Sequence, residues 1–211
     1  MGLISGRKKT AGRKKAPDTF IYEIIDDKPL YYKGYREAIR AKQNAESVMG
    51  SGTLQAVIIS YLLQILYRVC GTENYYIFSG EPGIHIDHKN NLAGDILVYD
   101  KTVLPVSKIS GQYADVPAEL HIEVDIQAEM EDMTEMGYIK RKTDMLLQFG
   151  TRKLIWVFTT TQQVMVAEKD KDWLWIAWKK PVPLWENATF CIGEFLEKEG
   201  IKPGDERGPL A

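Results

Sequence analysis

The sequence predicts an α/β fold, a mixed β-sheet flanked by helices, and three observations carry that expectation. A broad apolar face repeats at helical spacing from Leu54 to Val69. Short alternating or wholly apolar runs then follow one another at strand length. A strand, a helix and a strand run in order from Glu123 to Phe158, the connection expected between parallel neighbours in one sheet.

Taken in order, Phe20-Ile-Tyr-Glu-Ile-Ile25 alternates and meets Asp26-Asp27-Lys28-Pro29, so a strand and a turn are expected. Tyr31 to Tyr35 reads as a second short strand. Ser51-Gly52-Thr53 precedes the principal core helix, in which Leu54, Val57, Ile58, Tyr61, Leu62, Ile65, Leu66 and Val69 share a face, and Gly71 suits its C-terminal cap. Tyr75 to Phe78, Ile84 to Asp87, Asp95 to Tyr99 and Leu120 to Ile126 read as strands. A helix from Tyr138 to Phe149 ends at Gly150. Lys153 to Phe158, Val164 to Ala167 and Trp173 to Trp178 complete the strands, and Phe195 to Glu199 forms a closing helix. Trp173 and Trp175 share a face while Trp178 takes the other, which fits sheet packing better than a base-stacking platform.

Composition narrows the class. With 211 residues and 45% hydrophobic content, one well-buried domain is expected over 17–199, with a basic tail at 1–16 and a Gly/Pro-rich tail at 200–211. The longest apolar stretch, Ala56 to Leu63, contains Ser60 and Tyr61, so no membrane span is expected, and with no apolar run near Met1 no secretory signal is expected either. Cys70 and Cys191 lack metal-ligand spacing and read as buried thiols of a reducing cytoplasm. The net charge of −2 hides an asymmetry: Arg7, Lys8, Lys9, Arg13, Lys14 and Lys15 give the tail +6, leaving −8 for the rest. The tail is either a phosphate-binding arm or a solvated extension. The acidic body is a poor DNA surface by itself, a conflict that metal ions in an acidic cleft would reduce.

One residue breaks the pattern of its helix. Lys142 has Ile139, Met145 and Leu146 at i−3, i+3 and i+4, so it shares the apolar stripe that faces the core. A core-facing ammonium must find an anion or lose its proton. Glu123 and Asp125 on the preceding strand, with Asp95 on an earlier one, are the expected partners. In Glu119-Leu-His-Ile-Glu-Val-Asp-Ile-Gln127, the polar residues Glu119, His121, Glu123, Asp125 and Gln127 all take one parity. A strand covered by a flanking helix carries such a face at a cost, unless the face lines a site. Gly94 before Asp95 permits close backbone approach to a ligand, or is a plain turn glycine.

Carboxylates at adjacent strand ends offer hard oxygen ligands to Mg²⁺ or Mn²⁺, with the Val124 carbonyl as one more, and a nearby lysine can hold a water or neutralise phosphoryl charge. Other groups have plainer uses. His85, Asp87 and His88 could suggest zinc but fit a surface hairpin better. His121 is either a support for Glu123 or a satisfied strand histidine. Glu46 is a weak further acid, Lys140 pairs with Asp144 at i,i+4, and Lys153 is a strand-edge charge.

The arrangement resembles the PD-(D/E)XK nuclease superfamily and, within it, the Uma-two family of restriction-endonuclease-like proteins, from about Phe20 to Phe195. The residues carrying the resemblance are Gly94-Asp95-Ile-Leu-Val98, Ile122-Glu123-Val124, Lys142, Gly150 and Leu154-Ile-Trp156. Three features depart from the family's pattern. Gly94 stands where a proline usually precedes the first acid, Asp125 fills the slot of the standard motif's lysine, and Ala128 to Tyr138 replaces a Ser-Pro-rich turn. The resemblance implies a restriction-endonuclease-like fold, a homodimer, and hydrolysis of phosphodiester bonds of nucleic acid, DNA foremost, using Mg²⁺ or Mn²⁺. Asp95, Glu123 and Asp125 would hold metal, and Lys142 would orient or activate water. The alternative is a non-catalytic member that keeps the fold and binds nucleic acid or protein.

Overall fold

The computed structural model describes residues 16–203, so the basic segment 1–15 and the end from residue 204 lie outside the described residues. The chain runs β1 (Ile21–Ile25), β2 (Lys28–Tyr31), α1 (Tyr35–Arg40), α2 (Thr53–Val69), β3 (Tyr75–Ser79), β4 (Gly83–Asp87), β5 (Asn90–Ala93), β6 (Ile96–Asp100) and β7 (Leu120–Val124). It continues with α3 (Glu135–Phe149), β8 (Lys153–Phe158), β9 (Gln163–Glu168), β10 (Leu174–Ala177), β11 (Val182–Trp185), β12 (Ala188–Phe190) and α4 (Ile192–Lys198). No helix among the described residues is long and apolar enough to cross a membrane.

The central sheet has six strands in the order β10-β9-β8-β7-β6-β3. Only β7 and β8 are parallel, and α3 connects them, as the crossover from Glu123 to Phe158 implied. One face is apolar throughout: Leu120, Ile122 and Val124 of β7 pack with Ile58, Leu62 and Leu66 of α2 and Ile192 and Leu196 of α4. On the other face, Leu97, Tyr99, Leu154, Trp156 and Met165 pack beneath Ile139, Met145 and Leu146 of α3. The same cluster takes in Ile25, Ile84 and Leu92 from a second sheet of order β2-β1-β5-β4. Both faces of β7 are therefore covered, and all five of its residues are buried. Its polar parity faces a protein interior rather than solvent.

Local chemistry explains where the elements differ from the sequence expectations. The second strand is Lys28–Tyr31, and Tyr35 begins a helix instead. Asp26 and Asp27, both at positive φ (54° and 63°), form the whole turn, and two successive left-handed residues suit a tight hairpin. Pro29 is accepted because β2 is an edge strand. Strand β7 stops at Val124, two residues short of expectation, because Asp125 takes a left-handed φ of 61°. Helix α3 starts three residues early, where the Thr134 hydroxyl accepts the Gly137 N–H at 3.0 Å. Strand β5 and the β11–β12 hairpin were not anticipated; Asn90-Asn91 and Pro183 mask them in the sequence pattern.

The aromatic run behaves as sheet packing. Trp178 is buried in the α2-side core, while Trp175 lies on the opposite side, stacked at 5.6 Å on Phe158. Cys70 and Cys191 are both buried free thiols, and burial pushes the Cys70 thiol up to about 11. His85 bonds Asn91 across the β4–β5 hairpin at 2.7 Å. Lys140 pairs with Asp144 at 2.6 Å, and Lys153 reaches Glu168 at 3.3 Å.

Candidate active site

Lys142 is fully buried, and its ammonium has three protein partners. Its Nζ donates to Glu23 Oε1 at 2.6 Å, lies 2.8 Å from Glu123 Oε1, and lies 3.4 Å from the Tyr138 hydroxyl. The rings of Trp156, Tyr22 and Tyr138 surround it with centroids 5.6–5.7 Å away. An ammonium carries three N–H donors, so these partners satisfy it without water. Burial pulls its pKa down, but Glu123 and Glu23 together outweigh that and hold it above the ordinary lysine value. The expectation that Lys142 finds anions is met at Glu123, but neither Asp125 nor Asp95 is in contact with it, and Glu23 supplies the second carboxylate.

Glu23 comes from β1, in the second sheet. Its Oε1 also accepts the Ala93 N–H at 2.9 Å, and its Oε2 accepts the Tyr138 hydroxyl at 2.8 Å. The carboxylate thus ties β1, β5 and α3 together. The signal for it was present, since Glu23 shares strand parity with the buried Ile25 and so sits on the core-facing side.

Glu123 and Asp95 meet because β6 and β7 pair antiparallel with Ile96 opposite Ile122, and the Asp95 N–H donates to the Ile122 carbonyl at 3.1 Å. Asp95 Oδ2 accepts the Val124 N–H at 2.6 Å. Among the described residues its Oδ1 receives only a long contact, 3.5 Å, from the Gln55 amide, which bonds the Val124 carbonyl more closely at 2.8 Å. Gln55 lies on the buried stripe of α2 with Ile58, Leu62 and Leu66, a polar residue at a core position just as Lys142 is. Glu123 Oε1 takes both Lys142 and the Nε2 of His121. Among the described residues, no hydrogen bond reaches Glu123 Oε2.

The electrostatics follow from burial. It raises the Asp95 carboxyl to about 8, and the neighbouring Glu123 adds to the shift, against the Val124 N–H and Lys142. Burial also lifts Glu123 above the ordinary range, with Lys142 opposing. The His121 imidazole is pushed well below its usual value by burial and then by Lys142, so it is neutral. Glu81 is half-buried nearby and accepts the Tyr32 hydroxyl at 2.7 Å; burial raises it, as do Glu123 and Glu23. One ammonium therefore sits between Glu23 and Glu123, with Asp95 beside Glu123 and Glu81 nearby. The cluster carries more acid than it can keep ionised by itself.

Asp125 is placed differently. Its Oδ1 accepts the Thr159 N–H at 2.8 Å and its Oδ2 the Thr159 hydroxyl at 2.7 Å. With Gln55, Gln127, Lys33, Phe158 and Thr159 it lines an open cleft of about 540 Å³. Glu46 lies exposed in a 3-10 turn, bonded by Asn44 at 3.0 Å.

The oxygens of Asp95 and Glu123 suit a hard cation. Among the described residues no three His, Cys, Asp or Glu groups form a ready-made cage. Magnesium does not need one, since it keeps several waters and takes one or two carboxylates.

No family profile matches the chain, and no curated protein matches it. Among solved structures, it is similar to the one described as "a putative nuclease belonging to DUF820" from Anabaena variabilis. The two superpose with a TM-score of 0.59 at 14% identity, over 83% of this chain and 89% of that one. That likeness establishes a shared α/β fold.

Proposed function

We propose that this chain is a metal-dependent endonuclease of the Uma-two branch of the PD-(D/E)XK superfamily, hydrolysing phosphodiester bonds of nucleic acid, with DNA as the substrate. The observation that carries the reading is the buried pair Asp95 and Glu123 at adjacent strand ends, with Glu123 held by Lys142. The Anabaena protein of similar fold supports it.

Asp95 Oδ1, Glu123 Oε2 and the Val124 carbonyl would hold Mg²⁺ or Mn²⁺. Such an ion would polarise the phosphate and lower the pKa of the attacking water. The chain's own residues prepare for it: Gln55 and the Val124 N–H orient Asp95, while Lys142 and His121 fix one oxygen of Glu123. Lys142 is sealed from solvent, so its role here is to hold Glu123 rather than to touch water. Asp125 assists from the rim by holding Thr159 at the cleft. Nucleic acid would enter through that cleft, and the cation would offset the acidic surroundings. The family resemblance adds a homodimer to this reading, and the buried free thiols of Cys70 and Cys191 fit a cytoplasmic setting.

Calorimetric titration of Mn²⁺ tests it. Wild type should bind saturably, and Asp95→Ala and Glu123→Ala should each weaken binding by about 10–100-fold or more. Equal binding by all three proteins would overturn the metal assignment. The sealed Lys142 favours one second reading, a member that keeps the fold and binds nucleic acid without cutting it. Wild type that binds both Mn²⁺ and DNA yet leaves supercoiled plasmid intact would select that reading.

A further inference from the structure

The glycine before the first acid has a specific neighbour. Gly94 is not at positive φ, so neither a left-handed turn nor conformational freedom explains it. A Cβ built there would lie 2.7 Å from both Cε1 and Nε2 of His121, and 3.0 Å from Leu97 Cδ2. His121 is fully buried, so its ring has nowhere to move. The imidazole occupies space that any other residue at position 94 would fill.

Among the described residues that ring makes one hydrogen bond, from Nε2 to Glu123 Oε1, the oxygen that also faces Lys142. A carboxylate accepts only, so the proton belongs on Nε2. Nδ1 is then a buried acceptor with no partner among the described residues. An apolar side chain of similar size would avoid that loss. What the histidine supplies at this place is its Nε2–H, and what the glycine supplies is the space for the ring.

We infer that Gly94 and His121 are a size-matched positioning pair that commits Glu123 Oε1 to the protein and so turns Oε2 toward the cation. The inference rests on the metal-dependent reading above. Groups that orient a metal-binding carboxylate typically change affinity by about 10–100-fold when lost.

The test is a coupled set of variants read by Mn²⁺ calorimetry, with thermal melting measured alongside. Gly94→Ala and His121→Ala should each weaken Mn²⁺ by about tenfold or more. The double variant should bind no worse than His121→Ala, because the smaller side chain leaves room for the new methyl. His121→Gln, which returns an N–H donor at similar reach, should recover most of the affinity. Losses that multiply in the double variant, or a Gly94→Ala protein that binds as wild type does, would overturn the pairing. Nitrogen NMR of the wild-type imidazole reads the same question without any substitution. A neutral ring protonated on Nε2, shifting on Mg²⁺ addition, is expected, and an Nδ1-protonated ring contradicts it. Wild type that binds no Mn²⁺ would instead remove the metal reading itself, whatever the tautomer.

Discussion

Helices on the two faces of the central sheet each bury a long polar side chain in an apolar stripe, and the two side chains are accommodated in different ways. In α2, Gln55 shares its face with Ile58, Leu62 and Leu66; in α3, Lys142 shares its face with Ile139, Met145 and Leu146. The neutral amide is satisfied by the Val124 carbonyl and the Gln127 amide, both near the end of β7. The ammonium draws carboxylates from two separate sheets, Glu23 from β1 and Glu123 from β7. Burying a charge costs several kcal/mol unless paired, whereas an amide needs only hydrogen bonds. Both residues reach far along the chain, but the charge requires ionised partners and gathers them from two sheets, whereas the amide is satisfied by neutral groups of one segment at the end of β7.

The sharpest way to break the comparison is to remove each residue. On the sequence alone, Lys142→Met should be nearly neutral, since methionine suits an apolar stripe. The structure reverses that expectation, because two buried carboxylates would lose their counter-ion. Urea unfolding should show a loss of about 3–5 kcal/mol, as for breaking any buried ion pair from one side. Adding Glu23→Gln to Lys142→Met should restore part of that loss. A Lys142→Met protein as stable as wild type would mean that water already reaches the cluster.

A second test uses pH, with metal removed by chelation. Asp95 titrates near 8 in the folded chain, above its unfolded value, so the folded state holds a proton that the unfolded state has released. Between the unfolded value and about 8, stability therefore falls as pH rises. Asp95→Asn should flatten that part of the melting profile. Mn²⁺ affinity should rise through the same window, because the proton must leave before the oxygen can bind. A wild-type profile parallel to that of Asp95→Asn would place the proton elsewhere.

The smallest effect belongs to Gln55. Gln55→Leu removes the donor to the Val124 carbonyl and should cost about 1–3 kcal/mol in chemical denaturation, less than Lys142→Met. Mn²⁺ binding should weaken only modestly, since the Val124 N–H still orients Asp95. A larger loss for Gln55→Leu than for Lys142→Met would invert the ranking of amide and charge.

Lys142 could be found from the sequence because a helix of period 3.6 assigns each residue a face, and an ammonium on the apolar one stands out. Strand alternation placed His121 and Glu123 on a common side in the same way. The parity of Glu23 and the stripe position of Gln55 held the same kind of signal. Each is readable because helix and strand geometry are local. Which acid answers Lys142 is not local. Glu23 lies 119 residues away on a different sheet, and only the packing of β1 against α3 brings it to 2.6 Å. Asp125, the nearer acid in sequence, is lost to the cluster because a left-handed backbone at the end of β7 hands it to Thr159. Gly94 was visible as a glycine, but its neighbour was not, since the space His121 needs is set by the pairing of β6 with β7. The sequence thus determined which residues could not rest in an apolar interior. The tertiary structure alone decided which partners they met, because desolvated charges and close packing are properties of neighbours in space.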